Sequence, residues 1–106
     1  KMMGAPEFAL MKPTAYFVNT SRGPVVDEAA LVKVLQSHAI AGAGIDVYEV
    51  EPAPANHPFF ALDNIIVTPH VASSTAEALV KMSLVAEDLV AVLQGRPPKY
   101  PVNKVG

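Results

Sequence analysis

The chain contains no cysteine, which removes disulfides, thiolate metal sites and a cysteine nucleophile together. Charge is also scarce: 17% of the 106 residues are charged, and eight Lys and Arg against ten Asp and Glu leave a net charge of −2. The basic residues are scattered, so there is no basic stripe for nucleic acid and no polybasic cluster for an anionic membrane. The opening KMMGAPEFALMK lacks the long apolar core of a signal peptide. The most apolar stretch, near the C-terminus, is interrupted by Glu77, Lys81, Glu87 and Asp88, too often for a membrane span. There is no internal repeat and no low-complexity tract. A soluble domain, with the cytoplasm as its expected location, is what remains.

What the chain has in excess is apolar residues. They make up 51% of it, more than a domain of this size readily buries, because small globules keep a large fraction of their surface exposed. Some apolar surface is therefore expected to face another domain or subunit.

Pro6 sits where a first helical turn tolerates it, and EFALM before Lys12 and Pro13 reads as a short helix. AYFVN, 15–19, is a short strand stopped by TSRGP. Asp27 is an N-cap candidate for the next helix, with Val26 and Leu31 spaced as a hydrophobic staple, Leu31, Val34 and Leu35 on one face, and an end near Ser37. AIAGAGIDVY supplies a second buried strand through Ile45 and Val47, followed by a loop punctuated by prolines at 52, 54 and 58. NIIVT is the third strand. Ser74 with Glu77 offers a capping box for a helix over 75–94, closed by Gly95 and two prolines. Apolar strands separated by helical crossovers predict a parallel sheet covered on both faces.

In an open parallel sheet, ligands collect outside the carboxyl ends of the strands. Arg22 follows AYFVN, Glu51 follows GIDVY and His70 follows IIVT, so parallel strands bring all three to one edge. Singly, each has an ordinary explanation: a solvated turn arginine, a surface glutamate before proline, a structural histidine. Together they are complementary. An arginine fork holds a carboxylate with two hydrogen bonds, an imidazole takes or returns a proton near neutrality, and a glutamate beside it orients the ring. That set suits a small acid with an adjacent hydroxyl or carbonyl. His38 reads as a solvated residue between helix and strand, and His57, before Pro58, as a cap or packing residue of its loop.

The blocks LMKPTAYFVNTSRGPVVDEAAL, AGAGIDVYEVEP and HPFFALDNIIVTPHVASST, followed by GRPP and a closing VN, resemble the D-isomer-specific 2-hydroxyacid dehydrogenases over nearly the whole chain. The resemblance implies an α/β fold, here the C-terminal half of a Rossmann-type doubly wound sheet of about three parallel strands, plus the return helix 75–94 and a tail. It implies hydride transfer between NAD, or NADP, and a D-2-hydroxy acid and 2-oxo acid pair. Arg22 would bind the substrate carboxylate and carbonyl oxygen, His70 would carry the proton, and Glu51 would pair with His70. Asp46 would hold the nicotinamide carboxamide, with Thr20, Arg22, His70 and Ala72 lining the coenzyme pocket.

Two departures accompany it. Many members carry two glycines after the histidine, where this chain has Ala72 and Ser73. The family's upstream substrate domain and Gly-rich pyrophosphate turn are absent from this sequence, and GAGID does not replace that turn because its third glycine position falls on Val47. The expectation is a dehydrogenase fragment, inactive alone and prone to self-association or homodimer formation through an uncovered edge. The alternative is an NAD-sensing, corepressor-like dimeric module on the same fold.

Overall fold

A computed structural model describes residues 1–103, which fall into two units, residues 1–72 and the chain from Ser73 onward. In the first, α1 (Ala5–Phe8), β1 (Tyr16–Asn19), a 3₁₀ turn (Gly23–Val25), α2 (Glu28–Gln36), β2 (Gly42–Ile45), a second 3₁₀ turn (Pro58–Ala61) and β3 (Ile65–Val67) follow in order. The strands pair in parallel in the order β1-β2-β3, with Phe17 opposite Ala43 and Ala43 opposite Ile65. All three carboxyl ends therefore face the same way, as the alternation of apolar runs and helices predicts.

Local chemistry sets the boundaries. The Asp27 carboxylate accepts the Ala30 N–H at 3.1 Å and so caps α2, while Val26 and Leu31 are both buried, as a hydrophobic staple requires. The helix ends at Gln36, and His38 beyond it takes a left-handed conformation at φ 49°. There the Ala39 N–H reaches back to the Val34 carbonyl and closes the last turn. His38 is thus exposed between helix and strand, as expected, and also ends the helix.

Because side chains alternate along a strand, Phe17, Ala43, Ile45, Ile65 and Val67 share one face. They pack with Phe8, Leu31, Leu35 and Phe59 into the core. The opposite face is not covered as expected: Tyr16, Val18 and Ile66 on it are exposed. Hydropathy alone does not tell a two-sided strand from a strand with one apolar face left open, and part of the chain's apolar excess lies here.

In the second unit the long helix is confirmed in position but not in continuity: α3 spans Ala76–Ser83 and α4 spans Val85–Leu93, with Leu84 between them. Ser83 Oγ donates to the carbonyls of Leu79 and Val80 at 2.9 and 2.8 Å, while the Leu84 N–H turns to Lys81. A hydroxyl competing for the ladder carbonyls weakens and bends a helix locally. The cap also shifts by one residue: Thr75, not Ser74, accepts the Ala78 N–H at 3.1 Å. Glu77 then lies in the first turn, where its charge suits the helix dipole. Gly95 ends α4 at φ 70°, with the Arg96 N–H on the Ala91 carbonyl. Among the described residues no helix is long and apolar enough to cross a membrane.

Candidate active site

Two of the carboxylates in the segment after β2 have different tasks. Asp46, 3% exposed, lies one residue beyond the strand. Its Oδ1 accepts the Thr68 hydroxyl and the Val71 N–H, its Oδ2 accepts the Ala72 N–H at 2.9 Å, and its own carbonyl accepts the His70 N–H at 2.8 Å. One residue therefore ties the end of β2 to the whole turn after β3. The Thr68 hydroxyl above all, then the two amides and the nearby His70, hold the Asp46 carboxyl below its ordinary value.

That turn places His70 at φ 55°, a left-handed conformation uncommon for a residue with a side chain. The Asp46 anchors on the His70, Val71 and Ala72 amides are what hold it there. His70 Nδ1 lies 2.7 Å from Glu51 Oε2. The other Glu51 oxygen accepts the Tyr48 N–H at 3.0 Å. The hydrogen bond from His70, then the Tyr48 amide and the charges of His70 and Arg22, hold the Glu51 carboxyl below the usual glutamate range. Since Nδ1 faces a carboxylate, Nε2 is the ring nitrogen left to meet a ligand.

Arg22 is exposed beyond β1, and its charge is felt at Glu51. Its Nη1 donates to the neighbouring Ser21 carbonyl at 2.6 Å, while its own carbonyl accepts the Asn19 Nδ2. The loop bearing it seats directly on the loop bearing Glu51, because the backbone of Gly23 abuts that of Tyr48 and Glu49. Thr20 is exposed beside it. A cavity of about 300 Å³ opens against the pair, walled by Tyr48, Pro52, Phe60, Val67 and Pro69 with Glu51 and His70.

Two features escape a reading of the sequence. One is the anchoring of the His70 turn by Asp46. The other is a second histidine–carboxylate pair, His57 Nε2 to Glu28 Oε2 at 3.2 Å, in which His57 also caps the second 3₁₀ turn by accepting the Phe59 N–H.

The sequence profile described as "D-isomer specific 2-hydroxyacid dehydrogenase, NAD binding domain" matches residues 1–72. The chain belongs to the D-isomer-specific 2-hydroxyacid dehydrogenase family. It is 55% identical over 95 residues to the glyoxylate reductase of Thermofilum pendens, covering 89% of this chain and 28% of that protein. With the glyoxylate reductase of Aeropyrum pernix it shares 47% over 104 residues, or 97% of this chain and 31% of the relative. Among solved structures, a D-isomer-specific 2-hydroxyacid dehydrogenase from Xanthobacter autotrophicus, in complex with NADPH and MES, superposes with a TM-score of 0.80 at 42% identity. It covers 96% of this chain, which spans 42% of that one. The chain thus spans less than a third of the length of these two curated relatives.

The two depressed carboxyls set how these anchors respond to acid. A carboxyl whose folded-state pKa is lowered contributes stability that is fully present above its ordinary value, about 4, and lost as pH falls through the lowered value. Amide-exchange protection factors at Tyr48, Val71 and Ala72 are therefore expected to hold from neutrality to about pH 5 and to fall only below about 4. Loss of protection already at pH 6 would count against both anchors.

Proposed function

We propose that this chain supplies the acid–base pair and the nicotinamide end of the coenzyme site in a dehydrogenase that interconverts small D-2-hydroxy and 2-oxo acids. The observation that carries this reading is the 2.7 Å contact of His70 with Glu51, held at the carboxyl edge of a parallel sheet where Arg22 also emerges. When bound, NAD or NADP supplies or accepts the hydride.

The donor set fits a nicotinamide carboxamide. Asp46 Oδ2 takes a single N–H, that of Ala72, and a carboxylate oxygen accommodates a second donor. Thr20 and Arg22 follow β1, and His70 and Ala72 follow β3, at the same carboxyl edge of the parallel sheet. The Arg22 guanidinium matches a carboxylate bidentately and places C2 of the acid towards His70 Nε2. In reduction of a 2-oxo acid, Nε2 donates its proton to the carbonyl oxygen as C2 receives the hydride. In oxidation it takes the hydroxyl proton. Glu51 fixes the ring by its Nδ1 and stabilises the imidazolium. Relatives named glyoxylate reductase and glyoxylate/hydroxypyruvate reductase B favour glyoxylate and hydroxypyruvate as first substrates to try.

A chimera in which this chain replaces the segment it aligns with in the Thermofilum pendens protein tests the reading. It is expected to oxidise NADH or NADPH with glyoxylate or hydroxypyruvate. Within it, Arg22→Lys should raise KM for the acid roughly tenfold, since an ammonium loses the bidentate fork. A chimera that binds coenzyme but never turns over would overturn the proposal.

A further inference from the structure

We propose that Glu28 and His57 are positioning residues that hold Glu51 against His70 by pinning both ends of the loop carrying it. This rests on the acid–base role given above to Glu51 and His70. Glu51 lies in a stretch from 49 to 57 without regular secondary structure. One carboxylate grips both ends of that stretch: Glu28 Oε1 accepts the Glu49 N–H at 2.7 Å, and Glu28 Oε2 lies 3.2 Å from His57 Nε2.

The histidine is built for this contact. Its Nδ1 accepts the Phe59 N–H at 3.3 Å, which leaves Nε2 to carry the proton towards Glu28. Its ring is 8% exposed and stands edge-on to Tyr48, 5.5 Å between centroids. The Tyr48 hydroxyl in turn donates to the Thr68 carbonyl at 3.0 Å, two residues before His70. Glu28 itself is fixed as the first residue of α2, on an element that packs into the core through Leu31 and Leu35. The loop that aims Glu51 is thereby referenced to a rigid helix, while Lys1 pairs with Glu49 on the outer side.

The discriminating quantity is the titration of the Glu51 carboxyl, followed by carbon-detected NMR in the 106-residue chain. Glu51 is lowered by contacts that depend on its position, the His70 ring and the Tyr48 amide. If Glu28→Ala frees the loop, Glu51 should titrate higher, towards the ordinary glutamate value. Removing a nearby negative charge would by itself push it the other way, so a rise reports geometry. Glu28→Gln keeps an acceptor for the Glu49 N–H and should restore part of the shift. Asp27→Ala damages the cap of the same helix but neither anchor, and should leave Glu51 where it was.

In the chimera, Glu28→Ala should lower kcat roughly 10- to 100-fold, the cost of a misplaced catalytic pair, with KM for the acid little changed because Arg22 is untouched. A folded Glu28→Ala chain with Glu51 unmoved, or an equal movement in Asp27→Ala, overturns the proposal. A chimera inactive whatever stands at position 28 defeats the dehydrogenase reading instead, and the Glu51 titration then decides this one alone.

Discussion

His70→Gln in the chimera is expected to lower kcat by roughly 10²- to 10⁴-fold, the usual contribution of a positioned general acid–base group, while coenzyme affinity changes little. Glutamine fills similar space and can still donate to Glu51, so the 2.7 Å contact has a substitute, but an amide cannot take up and return a proton. The comparison therefore separates orientation from proton transfer. Glu51→Gln should cost less, because the imidazole keeps its titratable nitrogen and loses only its charged partner. Steady-state kinetics over pH is the measurement. A His70→Gln variant within tenfold of the parent would mean that the proton comes from elsewhere, and the assignment of His70 would fail.

The grouping behind this prediction was legible because it depends on strand ends alone. Once AYFVN, GIDVY and NIIVT are read as parallel, the residues that follow each must share an edge, and Arg22, Glu51 and His70 do follow them. Asp27 and Gly95 were legible for a similar reason, since a side-chain cap and a left-handed stop are local chemistry. Contacts between distant segments were not. Glu28 is locally an ordinary acid in the first turn of a helix, and nothing local pairs it with a histidine 29 positions away. The sequence shows Asp46 only as a polar residue at a strand end, and not the bonds from Thr68, Val71 and Ala72 that make it an anchor as well. The break at Leu84 was hidden because Ser83 looks like one more polar residue until its hydroxyl is seen to bond the carbonyls behind it. Helical periodicity records which face is apolar, and it is silent about competition for the backbone.

Gly23→Ala is expected to destabilise the 1–72 unit by about 3 kcal/mol, the upper part of the range for forcing extra atoms into a packed site. A Cβ on Gly23 would lie 1.9 Å from the backbone carbon of Tyr48, 2.0 Å from its oxygen and 2.3 Å from the Glu49 nitrogen. These are main-chain atoms, and those of Tyr48 and Glu49 are held in place by Glu51 and Glu28, so no rotamer change relieves the contact. Either the 20–23 turn or the 48–51 segment must move, and Arg22 separates from Glu51 in both cases. In the chimera the same substitution should therefore lower kcat, and KM for the acid should rise with it if the Arg22 turn is the part displaced. Gly44→Ala is the matched control: its Cβ would meet only Val18 side-chain carbons, at 3.8 and 3.9 Å, an ordinary contact distance. There the reduced freedom of the unfolded chain should leave stability equal or higher by ~0.5 kcal/mol. Denaturant unfolding of the two variants, read by circular dichroism, should thus show a large loss for Gly23→Ala and none for Gly44→Ala. Equal losses would show that glycine is required at 23 for reasons other than the close seating of the arginine loop on the glutamate loop.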